Sequence, residues 1–144
     1  MIELGLRALL LAQAGITALA PAQPVNGSNC DAVFNETEIQ GFAPPFIVIE
    51  QTGFDPMVCL DGTYGMQATE FEIGCYATSK PAALTLAKTV NEFLRDYAGA
   101  AGADDRIDAV IQQGKRNSRF LTQTGTDARH HVVTVSYLIQ HTEV

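Results

Sequence analysis

Bases are scarce in this chain, and several patterns that would announce a function are missing. Nine Lys and Arg stand against sixteen Asp and Glu, a net charge of −7, which argues against gripping nucleic acid by neutralising phosphates. A protein partner with basic patches fits that balance better. No stretch of about 18 apolar residues occurs, so no transmembrane span is expected. The run from Ala8 to Ala12 followed by Ala18-Leu19-Ala20 looks like a secretory signal. Glu3, the lone Arg7 and the interruptions at Gln13 and Gly15 argue against that, and a cytosolic site of synthesis is the expectation.

Catalytic and metal signatures are equally thin. Cys30, Cys59 and Cys75 are odd in number and far apart, with no C-x-x-C pair, so reduced, separate thiols are expected and no zinc site. Adjacent His130 and His131 would point to opposite faces of a strand and cannot chelate one ion, and His141 lies ten residues beyond His131. There is no G-x-S-x-G elbow, and the glycines at 99 and 102 follow a helical pattern where a phosphate loop would open one. No catalytic, cofactor-binding or metal residue is assigned, and no cofactor is expected.

What is present suits one globular domain over residues 1–144. Apolar residues make up 47% of the chain, and at this length folding hides roughly 68% of the unfolded surface, so neither metal nor disulfide is required. Ile2, Leu6, Leu9 and Leu10 share a face, with Gly15 placed to end a helix. Pro21, Pro24, Gly41 and the Pro44-Pro45 pair mark a long connector, with a short strand near Val33. Phe46-Ile-Val-Ile-Glu50 reads as a buried strand. In the next strand Phe71, Ile73, Cys75 and Ala77 face the core while Glu70 and Glu72 face away. Ser79 is placed to cap a helix over 79–97 with Pro81 in its first turn, and Ala83, Leu86, Ala87, Val90, Phe93, Leu94 and Tyr97 recur at helical spacing. Residues 107–113 and 131–140 read as two further strands, the last one inside the sheet.

The expected architecture is therefore α+β: a mostly antiparallel four-stranded sheet with two helices packed on one face, in the order α-β-β-α-β-β. Residues 53–64 and 114–127 read as long hairpin loops. Because loops on a rigid sheet carry contacts, Phe54, Asp55, Lys115, Arg116, Arg119 and Phe120 become the candidate partner-contact residues. The basic trio Lys115, Arg116 and Arg119 would meet an acidic patch on a neighbour, such as Glu70 and Glu72 or Asp104, Asp105 and Asp108. Opposite patches on one subunit are what a head-to-tail ring requires.

The strand Glu70-Phe-Glu-Ile-Gly-Cys-Tyr-Ala77, the helix after it, the strand Pro45-Phe-Ile-Val-Ile-Glu50 and the Leu-rich first helix ending near Ala14-Gly15-Ile16 together resemble the tail-completion proteins of long-tailed phages. These are similar to the lambda-type tail terminators. The likeness covers nearly the whole chain and departs from the pattern at 22–42, which is longer and more polar. The resemblance implies a non-enzymatic virion subunit, a homohexameric ring at the head-proximal end of the tail tube. Its partners would be the tail tube protein and head–tail connector proteins, with DNA only as passing cargo and no membrane; the net charge adds the expectation that Glu70 and Glu72 face the channel, where they would repel that DNA. A head-closure or adaptor protein is the alternative within that class, and a small enzyme or ligand-binding module outside it.

Overall fold

The computed structural model describes residues 2–25, 27–35, 43–59, 62–103, 105–121 and 129–143, with side chains at all of these except 54–59, 62–66, 116–121, 129–130 and 143. Three helices and eight strands follow in the order α1 (Ile2–Leu11), α2 (Ala14–Leu19), β1 (Gln23–Val25), β2 (Ser28–Cys30), β3 (Val33–Asn35), β4 (Phe46–Cys59), β5 (Gly62–Ala77), α3 (Lys80–Leu94), β6 (Gly99–Ala101), β7 (Asp105–Leu121) and β8 (Arg129–Glu143). β1 and β2 form a small hairpin of their own, and the other six strands make one sheet in the order β3-β4-β5-β8-β7-β6.

This corrects the four-stranded, two-helix expectation in several respects. The sheet has six strands and is mixed, because β3 pairs parallel with β4 while every other neighbour is antiparallel. The first helical stretch is two helices, and Gly15 lies inside the second. The expected loops at 53–64 and 114–127 are mostly strand: β4 and β5 continue their ladder to Cys59↔Gly62, and β7 and β8 theirs to Leu121↔Arg129. Residues 60–61 and 122–128 lie outside the described residues.

The physical reason is the same in both hairpins. Bulges between Gln51 and Gly53, Pro56 and Val58, Ile107 and Ala109, and Gln112 and Gly114 shift the register. They break the two-residue period on which a strand is recognised. Residues 113–119 are also polar on both faces, so no apolar alternation survives to be read. Pro56 is compatible with this strand because β4 has no outer neighbour there among the described residues.

The period-two reading of β5 holds. Phe71, Ile73, Cys75 and Ala77 are all buried, and the ladders set Ile47, Ile49, Val133, Val135 and Tyr137 of the flanking strands beside them. α3 covers this face with Ala83, Leu86, Ala87, Val90 and Leu94. Its start is fixed as expected, since Ser79 Oγ accepts from Ala82 N at 3.3 Å and Pro81 occupies the first turn, where its missing N–H costs nothing. Tyr137 OH donates to Asn91 Oδ1 at 2.9 Å, tying the sheet to the helix above it.

α1 decides the shape of the sheet. It packs against both β3 and β6, the outermost strands on either side, so the sheet is curled and α1 bridges its two margins. Gly5 makes this possible: a Cβ there would collide with the carbonyl oxygen of Ala101, and a Cβ on Gly102 would stand 3.1 Å from Gly5 Cα. Gly102 has φ +72°, a conformation that glycine adopts without strain. On the other side Arg7 Nε donates to the carbonyl of Val33 at 2.8 Å, and the same guanidinium stands 3.6 Å from Asp31.

Candidate interaction edges

Short β3 covers the outer side of β4 only at Ile47–Ile49, and short β6 covers the outer side of β7 only at Asp105–Ile107. Past these points, among the described residues, β4 from Glu50 and β7 from Asp108 have no strand beside them. An uncovered edge presents a row of backbone donors and acceptors ready to pair with another chain.

The two open edges overlap in height. Rungs run straight across the sheet through Glu50, Glu72, Ser136 and Gly114, through Gly53, Glu70, Leu138 and Ile111, and through Asp55, Ala68, Gln140 and Ala109. Both edges carry a bulge at the same height, at Gln51/Gly53 and Gln112/Gly114. Ile111, on the β7 edge, is 47% exposed, while at the same height the β4 edge has Gly53 with no side chain. A Cβ at Gly53 would stand 2.8 Å from Glu70 Oε2, so the carboxylate occupies that space.

The candidate contact residues distribute over these edges. Phe54 and Asp55 lie on β4 opposite Thr69 and Ala68, and Lys115, Arg116, Arg119 and Phe120 lie on β7 opposite Val135, Thr134, His131 and His130. Lys115 is exposed; the side chains of the other five lie outside the described ones. Of the acidic counterparts named from sequence, Glu70 and Glu72 sit on central β5, on the face away from α3, with Glu70 exposed and Glu72 half-buried. Asp105 is buried, and Asp108 is on β7 itself, accepting from Thr142 Oγ1 at 2.6 Å. Asp104 lies outside the described residues. Glu50, paired directly with Glu72 across the ladder, joins the acidic face, and that pairing is visible only once the register is known.

One buried polar group was not foreseen. His141 Nε2 and Thr69 Oγ1 are 2.7 Å apart, and Asp105 Oδ1 stands 3.8 Å from Nδ1, which has no hydrogen-bond partner among the described residues. The carboxylate favours the hydrogen on Nδ1, with Thr69 donating to Nε2. Burial lowers the His141 pKa, and Asp105, Glu3 and Asp108 oppose this more weakly. The trio has the atoms of an acid–base relay, but Thr69, His141 and Asp105 are 0%, 2% and 5% exposed. The three side chains are sealed from solvent, and their contacts join β5, β7 and β8.

Cys75 is also buried, and its thiol is pushed up to about 12, which keeps it protonated and inert. Among the described residues no cluster of three His, Cys, Asp or Glu side chains could hold a metal ion, and no helix is long and apolar enough to cross a membrane.

Comparison with known proteins agrees with the resemblance seen in the sequence. A solved chain in the virion of a native gene transfer agent particle superposes with a TM-score of 0.58 at 16% identity, covering 96% of this chain and 93% of that one. No curated protein sequence matches significantly. The family described as tail completion protein gp17 matches residues 5–140. The chain therefore belongs to the tail completion protein gp17 family, and is a structural protein of the virion tail or neck.

Proposed function

We propose that this protein forms a closed ring, a hexamer, on the head-proximal end of the tail tube, where it ends tube growth and presents the surface that joins the head. The supporting observation is the pair of open edges. Strand directions alternate from β4 through β5 and β8 to β7. When copies stand side by side in the same orientation, β7 of one therefore runs antiparallel to β4 of the next. Such a contact uses two different surfaces, and repeated by rotation it closes into a ring. The matched bulges add the local bend that closure needs.

Two further features fit a ring placed between tube and head. The hairpins overrun the shared sheet in opposite directions. The β4–β5 rungs at Val58↔Thr63 and Cys59↔Gly62 pass the β5–β8 rung at Met66↔Thr142, and the β7–β8 rungs at Phe120↔His130 and Leu121↔Arg129 pass the one at Ala77↔His131. Each axial side of a ring thus gains its own contact elements, one for the tail tube protein and one for the connector. The face away from α3 carries Glu50, Glu70 and Glu72. As a channel wall it would repel DNA passing through it.

The test is growth of tail tubes from purified tube protein with and without this chain. The expected result is tubes of arrested length carrying a ring at one end by electron microscopy. Unchanged tube lengths with bare ends would refute the proposal, and a ring found only on head connectors would assign it to head closure instead.

A further inference from the structure

Building on the ring reading, we infer that the junction between neighbouring copies is keyed by charge, with Lys115, Arg116 and Arg119 of one copy set against Asp31 and Glu50 of the next. The occupant of the β7 edge is thus a second copy of this chain. The basic trio makes up three of the nine bases, and all three lie on the outer half of β7, beyond the cover of β6.

Register fixes what stands at the same height on the opposite margin. The rung through Lys115, Val135 and Ile73 continues through Ile49 to Asn35 on β3, and the rung through Asn117, Val133 and Cys75 continues through Ile47 to Val33. β3 therefore faces the basic segment of the neighbour. Its flanks are acidic: Asp31 precedes it, with a side chain 54% exposed, and Glu50 is exposed one residue past the rung that contains Asn35. The backbone of β3 is already engaged by Arg7 at Val33. Contact at this height is accordingly made through side chains, while strand-to-strand pairing is left to the open stretches at 50–55 and 109–114. There exposed Ile111 stands at the height of Gly53, which has no side chain of its own to keep a neighbouring strand away.

This assignment differs from the pairings suggested by sequence. Glu70 and Glu72 are two strands away from β7, and Asp108 shares its edge with the basic trio, so none of them can face that trio across a junction. A key of this kind sets partner choice and register, and rejects a reversed neighbour that would bring like charges together.

Charge reversal tests it by complementation. One variant carries Lys115→Glu, Arg116→Glu and Arg119→Glu, and the other carries Asp31→Lys and Glu50→Lys. Each should retain the circular dichroism of the wild type and lose ring formation on purified tail tubes by about tenfold or more, because each now places like charges at every junction. Mixed together they should assemble again, as rings in which the two variants alternate, with an even number of subunits by native mass spectrometry. Wild-type rings should also loosen as salt rises toward 1 M. If each variant assembles alone as the wild type does, or if the mixture stays unassembled, the charge key is wrong and the ring stands. If the wild type itself makes no ring on tubes, the ring reading fails, and the key with it.

Discussion

The margins of this sheet are treated in two opposite ways. At β3 and β6 the edge is short and sealed: α1 lies across both, with Arg7 holding the Val33 carbonyl and Gly5 seated on Ala101. Along β4 from Glu50 and β7 from Asp108 the edge is long, uncovered among the described residues and, at Ile111, apolar. Proteins that have no use for an open edge blunt it. This chain seals one part of its margin and, among the described residues, leaves two stretches at matching height bare, which is the basis of the proposed ring. The contrast separates residues that hold the subunit together from residues that the proposed ring would use between copies.

The largest effect is expected at the sealed margin. Gly5→Ala drives a methyl group into the backbone of β6, and should cost about 2 kcal/mol by urea denaturation. An unaltered midpoint would mean that α1 does not bridge the sheet. Arg7→Ala removes a hydrogen bond from a charged donor and should cost about 1.5 kcal/mol. Its exposed pair with Asp31 adds little. Because β3 then becomes an open edge, this variant should also aggregate on standing, which light scattering would detect.

A third effect appears only in acid. His141 is held neutral by burial, so its folded pKa lies below the unfolded value of 6.5. As pH falls below that value the unfolded chain takes up a proton that the folded one resists. Stability is full above 6.5 and declines as pH drops toward the lowered folded value. Denaturation at successive pH values should show this slope in the wild type and a flatter one in His141→Gln. The smallest effect on stability belongs to the open margin. Ile111→Lys should change unfolding by less than about 0.5 kcal/mol and yet abolish ring formation on tubes. If it instead destabilises the subunit as Gly5→Ala does, the two margins are not distinct.

The helix capped by Ser79, the buried face of β5 and the pairing of strands into two hairpins were legible in the sequence, because apolar spacing and turn residues report local structure. The margins were not. Residues 113–119 alternate nothing apolar, and four register shifts break the period in β4 and β7, so these stretches read as loop in the sequence. β3 pairs in parallel, across a connector whose composition gives no sign of it. The candidate contact residues follow in the sequence from a loop reading, whereas the structure places them on β4 and β7, and what stands opposite them depends on the strand order. His141, Thr69 and Asp105 are 36 or more positions apart and meet only through β5, β7 and β8. No local motif could have revealed them.

The bridging position of α1 also sets the order of events during synthesis. It is made long before one of its two seats, β6, which follows only at residues 99–101. Until then the chain carries an unsealed margin, and the contacts that close it are the most distant in sequence, the kind that form slowly. The seal over β3 and β6 therefore forms only after the chain has been made beyond residue 101, and until then β3 is an edge with which any other strand could pair.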